Sequence, residues 1–286
     1  MIKQRHGKIN EVYRAGRIWY NTDGARQNRR GGKMNQKRDP VGVFDSGAGG
    51  ISTLREMIRE LPEERFIYFG DTANAPYGTK TTEEVIACVQ GVVERLMKKN
   101  IKALVIACNT ATGAAAATLR KELSIPVVGM EPALKPASQM RKNGSVLVLA
   151  TPLTLQQEKF ENLMRQYGQG AVKVPCPGLM ELVEADDEAG ARQYLRELFI
   201  RYPADRVDAV VLGCTHYVFL KEMIRELLPE RIAITDGNTG TARQLRRVLA
   251  GAGLLNEEGP GTVELETSGG PGDIALMKRF LEKPES

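Results

Sequence analysis

The sequence predicts an α/β protein built from two doubly wound parallel-sheet domains. Three observations predict this class: short apolar runs recur along the chain, amphipathic helical patterns separate them, and the runs repeat at a nearly constant offset. Strands that are apolar along their whole length and alternate with helices are typical of parallel sheets covered on both faces. The 286 residues are enough for two such domains, each with its own core.

The constant offset indicates an internal duplication. The run VGVFDS begins at Val41, and its counterpart VLVLAT begins at Val146, 105 residues later. The runs FIYFGDT, IKALVIAC and IPVVGM are each followed, 106 residues later, by VKVPCP, VDAVVLGC and RIAITDG. Four runs in register predict two related units of about 105 residues. We expect the units to be related by a pseudo-two-fold axis, with the active site in the cleft between them.

Helical patterns lie between the apolar runs. The segment TTEEVIACVQGVVERLMKKN opens with Thr81 and has Glu84 three positions later, which is the spacing of a capping box. Its valines form one apolar stripe and it ends in lysines, as the C-terminus of a helix prefers. Five further segments follow the same pattern: STLREMIRELP, GAAAATLRKEL, LQQEKFENLMRQYG, EAGARQYLRELFIRY and YVFLKEMIRELLP.

The composition narrows the class of protein. Hydrophobic residues make up 42% and charged residues 26%, which is ordinary for a globular protein. No apolar run approaches the roughly 20 residues that a membrane span needs, and the N-terminus lacks the apolar segment of a secretory signal. The four cysteines form no C-x-x-C pair and only two histidines are present, so we expect no structural zinc site. These features favour a cytoplasmic protein with reduced thiols.

Positive charge is concentrated at the N-terminus. Residues 1–40 contain 11 Lys and Arg against 3 Asp and Glu, whereas the rest contains 29 against 32. We interpret residues 1–39 as a disordered basic extension. Met34 stands just before the first strand, so residues 1–33 could also be a start-site artefact. An arm that binds nucleic acid or an activator is the remaining interpretation.

Ligands of doubly wound sheets bind beyond the carboxyl ends of the strands, so the residues that follow each strand are the functional candidates. In the first half of the chain they are Asp45-Ser46-Gly47, Asp71-Thr72 with Pro76-Tyr77-Gly78 following, Cys108-Asn109-Thr110 and Glu131. In the second half they are Thr151 to Thr154, Cys176, Cys214-Thr215-His216 and Asp236-Gly237. Neither half carries a dinucleotide-binding or P-loop glycine pattern, and no ligand cluster indicates a metal. We therefore expect no cofactor and no metal site.

Two of these candidates are cysteines at equivalent positions of the duplication, Cys108 and Cys214. If the two units face each other, their thiols approach one central point from opposite sides. Two bases on opposite sides of one carbon are what a racemase needs, because one thiolate removes a proton while the opposite thiol returns one. His216 is placed to assist Cys214, and Asp45 to assist Cys108.

Other side chains at the strand ends suit an amino-acid zwitterion. Backbone amides at helix N-termini after both cysteines would favour thiolates and a substrate carboxylate. Hydroxyl and amide groups are available from Ser46, Asn109, Thr110, Thr151, Thr154 and Thr215. Cys88 and Cys176 have no symmetric counterpart, so we expect both to be structural.

At these motifs the sequence resembles the glutamate racemase family of the cofactor-independent aspartate/glutamate racemase superfamily, over about residues 40–245. The motifs are GVFDSGAGGISTLREM, YFGDTANAPYGTK, ALVIACNTAT, IPVVGMEPALKPA, CPGLMELVE, VVLGCTHYVFL and DGNTGTARQL, in family order. The resemblance implies cofactor-independent interconversion of L- and D-glutamate by a two-base, two-cysteine 1,1-proton transfer. It also implies that the D-glutamate supplies peptidoglycan synthesis, and hence cell-wall biogenesis and cell shape.

The resemblance implies roles for individual residues. Cys108 would act on the D-enantiomer and Cys214 on the L-enantiomer, assisted by Asp45 and His216 respectively. A glutamate of LMELVE would be a third assisting acid; Glu184 fits better than Glu181, and both remain open. The implied substrate-binding residues are Asp45, Ser46, Tyr77, Gly78, Asn109, Thr110, Thr151, Thr154, Thr215 and His216.

The resemblance also implies the domain organisation and the partners. Residues 40–133 together with 240–286 would form the first domain and residues 134–239 the second, and the protein would be a homodimer. We expect glutamate as the small-molecule substrate, no membrane partner, and nucleic acid only through the basic extension. Two segments depart from the motifs of the family. VVGMEPALKPA is one residue shorter than the common family form, and ATPLTLQQEKF differs from the usual threonine-rich loop. The resemblance therefore says less about the contacts to the substrate side chain than about the two cysteines.

Three alternatives stay open from the sequence. An aspartate or related dicarboxylate racemase would use the same scaffold. A hydrolase using Cys214 and His216 with a carboxylate would leave the matching Cys108 without a role. A non-catalytic amino-acid sensor would keep its function when both thiols are removed.

Overall fold

The computed structural model describes residues 10–14, 17–21 and 33–283. At the N-terminus, strands β1 (Asn10–Arg14) and β2 (Arg17–Asn21) pair antiparallel, and a 3-10 helix covers Lys33–Arg38. These elements lie within the extension that we expected to lack regular structure. Residues 1–9, 15–16 and 22–32 of that predicted extension, which include His6, lie outside the described residues.

The first sheet of the body contains parallel strands in the order β11-β4-β3-β5-β6. They are β3 (Val41–Asp45), β4 (Arg65–Gly70), β5 (Ala103–Ile106), β6 (Val127–Gly129) and β11 (Thr262–Thr267). Its helices are α1 (Ile51–Glu60), α2 (Thr82–Met97), α3 (Asn109–Glu122), α10 (Asn238–Gly251) and α11 (Pro271–Glu282). Strand β1 lies beside β11 at the edge of this sheet.

The second sheet contains parallel strands in the order β10-β9-β7-β8. They are β7 (Ser145–Ala150), β8 (Ala171–Pro175), β9 (Val207–Leu212) and β10 (Ala233–Asp236). The helices of this half are α4 (Leu134–Met140), α5 (Pro152–Gln156), α6 (Glu158–Tyr167), α7 (Leu179–Glu184), α8 (Glu188–Ile200) and α9 (Lys221–Leu227).

The strand order confirms the predicted α/β class with two parallel sheets. The order β4-β3-β5-β6 of the first sheet recurs as β8-β7-β9-β10 in the second, in agreement with the sequence repeat. The first sheet differs only in carrying β11 at the outer edge of β4. The parallel strands of each sheet therefore end on a common side, where the candidate residues meet.

Local chemistry explains where the helices begin. Thr81 caps α2 through a capping box: its hydroxyl accepts the Glu84 N–H at 3.2 Å, and the Glu84 carboxylate accepts the Thr81 N–H at 2.8 Å. The predicted helical segment LQQEKFENLMRQYG is instead divided into α5 and α6. The division falls at Gln157, whose backbone is extended and whose side chain donates to the Thr110 carbonyl at 2.9 Å.

One buried apolar cluster joins the two halves. It contains side chains from both sheets and from the helices between them, for example Val43, Leu54, Leu147, Leu212 and Leu245. Helix α10 packs on α1, and β11 pairs with β4, so the chain returns to the first sheet after completing the second. We therefore propose domains of residues 40–133 plus 240–286 and of residues 134–239.

Along the part of the chain that the structure describes, none of the helices combines the length and the apolar character needed to cross a membrane.

Candidate functional site

A narrow cleft lies between the carboxyl ends of the two sheets. Its walls are Ser46, Gly78, Cys108, Asn109, Thr110, Thr151, Met180, Gly213, Cys214, Thr215 and His216. Both matched cysteines therefore line one cleft, as the internal duplication predicted.

Cys108 follows β5 and is the N-cap residue of α3. Its Sγ accepts the Ala111 N–H at 3.4 Å and lies 3.8 Å from Ser46 Oγ, to which the thiol donates. Burial raises the pKa of the Cys108 thiol well above its ordinary value, and the nearby Asp45 carboxylate raises it further. A raised pKa favours the protonated thiol, which needs a base to become a thiolate.

Cys214 follows β9 and begins a chain of three polar groups. Its Sγ lies 3.8 Å from His216 Nδ1, and His216 Nε2 lies 2.8 Å from Glu184 Oε1. Glu184 Oε1 also accepts the Ala48 N–H at 3.1 Å. A thiol, an imidazole and a carboxylate in this order form a path along which a proton can leave or reach Cys214.

The expected α-helix N-terminus after Cys214 is absent from the structure. Thr215–Leu220 forms a 3-10 helix, and α9 begins only at Lys221. In this tighter turn the Tyr217 N–H bonds back to the Cys214 carbonyl at 3.2 Å. The His216 imidazole takes the place of helix amides as the group that faces the Cys214 sulfur.

The pKa values of the His216–Glu184 pair move apart. Burial by itself would lower the pKa of His216, but its contacts with Cys214 and Glu184 outweigh burial and raise it well above the ordinary value. Burial would raise the pKa of Glu184, yet the hydrogen bond to His216 lowers it overall. The geometry therefore favours an imidazolium paired with a carboxylate.

Asp45 lies at the end of β3 and is fully buried. Its Oδ2 accepts the Gly50 N–H at 2.7 Å and the Thr215 hydroxyl at 3.3 Å, whereas Oδ1 has no hydrogen-bond partner among the described residues. Burial raises the pKa of Asp45 although the nearby His216 acts in the opposite direction. A carboxyl group with a raised pKa is suited to exchanging a proton with a neighbouring thiol.

The other predicted binding residues surround the cleft. Asn109 is 7% exposed, and neither its Nδ2 nor its Oδ1 finds a partner among the described residues. The Thr110 hydroxyl lies 3.1 Å from that of Thr151 and 2.9 Å from that of Thr154. A Cβ at Gly78 would lie 2.7 Å from Thr151 Cβ, so the glycine permits this close approach of the two halves. The unpaired amide of Asn109 is the group most in need of a ligand.

Four of the predicted residues do not line the cleft themselves: Asp45, Tyr77, Thr154 and Glu184. The Tyr77 hydroxyl donates to Asp71 Oδ2 at 2.5 Å, and Tyr77 does not line the cleft. Of the two acids left open in LMELVE, Glu184 contacts His216, whereas Glu181 is exposed one helical turn earlier.

Sequence reasoning missed several groups at the site. Met180 and Gly213 line the cleft, and the amides of residues 48–50 bind three of the candidate side chains. The glycines of DSGAGG were the available signal, but a tight turn explained them equally well. Cys88 and Cys176 do not line the cleft. Among residues 33–283 and the two N-terminal strands, no group of three or more His, Cys, Asp or Glu side chains could hold a metal ion.

Comparisons with known proteins show what the chain is similar to. The profile of the Asp/Glu/hydantoin racemase family matches residues 42–245. A glutamate racemase of Clostridium acetobutylicum is 50% identical over 228 residues, which cover 78% of this chain and 89% of the relative.

Solved structures show the same likeness in three dimensions. The glutamate racemase of Thermus thermophilus, in complex with beta-chloro-D-alanine, superposes with a TM-score of 0.74 at 37% identity, covering 87% of this chain and 96% of its own. The Escherichia coli glutamate racemase, in complex with L-glutamate and the activator UDP-MurNAc-Ala, gives 0.73 at 29% identity, with coverages of 84% and 95%.

Proposed function

The chain belongs to the Asp/Glu/hydantoin racemase family, and on that premise we propose that it interconverts L- and D-glutamate by a two-cysteine proton transfer. The main support is that Cys108 and Cys214, at equivalent ends of β5 and β9, line one cleft. The similarity to glutamate racemases favours glutamate over other dicarboxylates. The binding of L-glutamate to the related Escherichia coli enzyme favours it as well.

In the L-to-D direction, the Cys214 thiolate removes the α-proton of L-glutamate and becomes a thiol. The electron pair of the broken C–H bond stays on the α-carbon and is delocalised into the adjacent carboxylate. The Cys108 thiol then donates its proton to the opposite face and becomes a thiolate. Turnover of D-glutamate runs through the same steps in reverse, so the two thiols exchange roles between the directions.

The neighbouring groups support these proton transfers. His216 accepts the Cys214 proton and holds the thiolate as part of an ion pair, and Glu184 stabilises the resulting imidazolium. Asp45 serves as the proton acceptor for Cys108, whose buried thiol has a raised pKa. The Asn109 amide, with both polar atoms unpaired, would bind the substrate near its reacting carbon.

Further substrate contacts follow from the walls of the cleft. Ser46, Gly78, Thr110, Thr151 and Thr215 line it, and Thr154 reaches it through the hydroxyl of Thr110. Tyr77 would act indirectly, by holding the turn before Gly78 through its bond to Asp71.

We also propose that the D-glutamate supplies peptidoglycan synthesis in the cytoplasm and that the enzyme is a homodimer. Size-exclusion chromatography with light scattering tests the dimer, which requires a mass near twice the 31.5 kDa of the chain.

The direct test is proton NMR of L-glutamate in D2O with purified protein and no added cofactor or metal, followed in parallel by circular dichroism. We expect the α-proton signal and the optical activity to disappear together, because deuterium enters from the opposite thiol. Aspartate in place of glutamate measures the substrate preference. Persistence of the α-proton with both substrates would contradict the proposal and favour the sensor interpretation.

Single variants test whether racemisation needs both thiols. Cys108→Ser and Cys214→Ser are expected to abolish racemisation, while Cys88→Ser, in the partly exposed helix α2, keeps it. Unchanged racemisation by Cys108→Ser would contradict the two-thiol mechanism.

A further inference from the structure

The loop between β3 and α1 contacts the assisting groups of both cysteines. Three successive backbone N–H groups each face a different side chain. Ala48 donates to Glu184 Oε1 at 3.1 Å and Gly50 to Asp45 Oδ2 at 2.7 Å, while the Gly49 nitrogen lies 3.1 Å from His216 Nε2. The loop therefore places the partial positive charge of one amide N–H against each of these three side chains.

The contact at Gly49 bears directly on the basicity of His216. His216 Nε2 faces both the Gly49 N–H and the Glu184 carboxylate, and a ring nitrogen cannot donate and accept at once. When Nε2 carries a proton, it donates to Glu184. When it has lost that proton, it accepts from Gly49. The position of the loop therefore decides how strongly the neutral imidazole is stabilised relative to the imidazolium.

Tyr68 fixes this loop from the neighbouring strand β4. Its side chain is fully buried, and its hydroxyl donates to the Gly47 carbonyl at 2.7 Å. The Gly47 carbonyl and the Ala48 N–H belong to one planar trans peptide and point in opposite directions. A bond that holds the carbonyl toward Tyr68 therefore directs the N–H toward Glu184.

The loop has little freedom to adopt another position. A Cβ at Gly47 would lie 2.2 Å from Glu184 Oε1, and a Cβ at Gly49 would lie 2.3 Å from His216 Nδ1. On the opposite side, a Cβ at Gly70 would lie 2.8 Å from the Gly47 carbonyl oxygen. The loop is enclosed on both sides and has two side-chain anchors: the Tyr68 hydroxyl at the Gly47 carbonyl, and the Ser52 hydroxyl, which donates to the Gly49 carbonyl at 2.8 Å.

We propose that Tyr68 is a positioning residue for racemisation, because its hydroxyl orients the Gly47–Ala48 peptide and thereby the amides that tune Asp45, His216 and Glu184. This inference rests on the proposed function. Burial raises the pKa of Tyr68 well above its ordinary value, and the nearby Asp45, Glu184 and Cys108 act in the same direction, so the hydroxyl remains a donor.

The test compares Tyr68→Phe with the matched control Tyr217→Phe. Tyr217 is also fully buried, and its hydroxyl donates to a backbone carbonyl, that of Cys176, at 2.9 Å. Two quantities are measured: the pH dependence of kcat in both directions, and the titration midpoint of His216 by histidine ¹⁵N NMR. A His6→Gln variant assigns the two histidine signals.

For Tyr68→Phe we expect kcat to fall about tenfold, which corresponds to roughly 1.4 kcal/mol, with KM within about twofold of the wild-type value. We also expect the midpoint of His216 to move by at least about half a pH unit, about 0.7 kcal/mol. The groups that face the loop and contribute to the profile are Asp45, Glu184, His216 and the two cysteines of the cleft. Tyr217→Phe should lose stability without moving the midpoint or the profile.

An unchanged midpoint and profile in Tyr68→Phe would overturn the inference, as would the same change in Tyr217→Phe. If Tyr68→Phe does not fold, amide exchange in the wild-type protein decides: slow exchange at residues 48–50 supports the anchor, and exchange at the rate of an open loop refutes it. The titration midpoint of His216 can be measured in a protein that does not turn over substrate. An inactive wild-type protein would therefore count against the racemase proposal, and an unmoved midpoint against Tyr68.

Discussion

Replacing Glu184 by glutamine tests the proton path behind Cys214. Glutamine keeps the shape of the side chain and an oxygen that can accept the Ala48 N–H, but it removes the negative charge beside His216. Because that charge stabilises the imidazolium, its loss must lower the pKa of His216.

The magnitude follows from the geometry of the pair. The two atoms lie 2.8 Å apart, with 1% of the His216 side chain and 23% of the Glu184 side chain exposed. A hydrogen bond to a charged group contributes about 1.5–3 kcal/mol. One pKa unit corresponds to about 1.36 kcal/mol, so the pKa of His216 should fall by roughly one to two units. Formation of the Cys214 thiolate, and with it kcat for L-glutamate, should fall by roughly tenfold per unit.

The pair also makes stability depend on pH. The raised pKa of His216 contributes stability that is complete below the ordinary histidine value and is lost as pH rises through the folded value. The lowered pKa of Glu184 contributes stability that is present above the ordinary glutamate value and is lost as pH falls through the folded value. Between the folded-state pKa of Glu184 and that of His216, Glu184→Gln should therefore have a lower free energy of unfolding than the wild type. Below and above this pH range the difference in free energy should be smaller.

Histidine ¹⁵N NMR between pH 5 and pH 10 measures the shift, and urea unfolding at several pH values measures the stability difference. Glu181→Gln is the matched control, since Glu181 lies on the same helix α7 and is exposed. The reasoning is refuted if the midpoint of His216 is the same in Glu184→Gln as in the wild type, or if Glu181→Gln lowers it equally.

Three further perturbations have distinct outcomes. Gly49→Ala should reduce kcat by about 100-fold in a steady-state assay, because the new Cβ would lie 2.3 Å from His216 Nδ1. Alkylation of Cys108 by iodoacetamide, followed by mass spectrometry, should accelerate only well above pH 8.5, since burial and the neighbouring carboxylate raise its pKa. Lys102→Met should lower the free energy of unfolding in urea by about 3 kcal/mol, because it leaves the buried carboxylate of Glu64 without its partner.

Each of these predictions has an internal control. Gly91→Ala should keep activity and stabilise α2 by about 0.5–1 kcal/mol, because beyond the local helix backbone no atom lies within 4 Å of the new Cβ. Cys108 alkylation with the same pH dependence as a free thiol would contradict the burial argument. Adding Glu64→Leu to Lys102→Met should recover most of the lost stability; failure to do so would mean that the ion pair is not the cause.

Much of the fold was predictable because it depends on local patterns. The strand runs, the Thr81–Glu84 capping box and the repeat offset are properties of neighbouring residues or of simple spacing, and the structure confirms the parallel sheets they predict. The division at Gln157 was not predictable, because the side-chain partner is the Thr110 carbonyl, 47 positions away.

The candidate site was likewise predictable in part. The strand ends identified Cys108 and Cys214 because every strand of a parallel sheet delivers its last residues to the same edge. The choice between Glu181 and Glu184 needed the direction of each side chain on α7, which depends on how that helix packs against the 3-10 helix carrying His216.

The sequence by itself determined the class of fold, the duplication and the two thiols at equivalent strand ends. Only the tertiary structure decided which groups adjust the basicity of those thiols. Those contacts join the loop of residues 48–50 with side chains of both halves, and they depend on distances of about 3 Å between segments more than 130 residues apart. Local spacing carries no information on such distances, whereas packing of the two sheets through one buried cluster sets them.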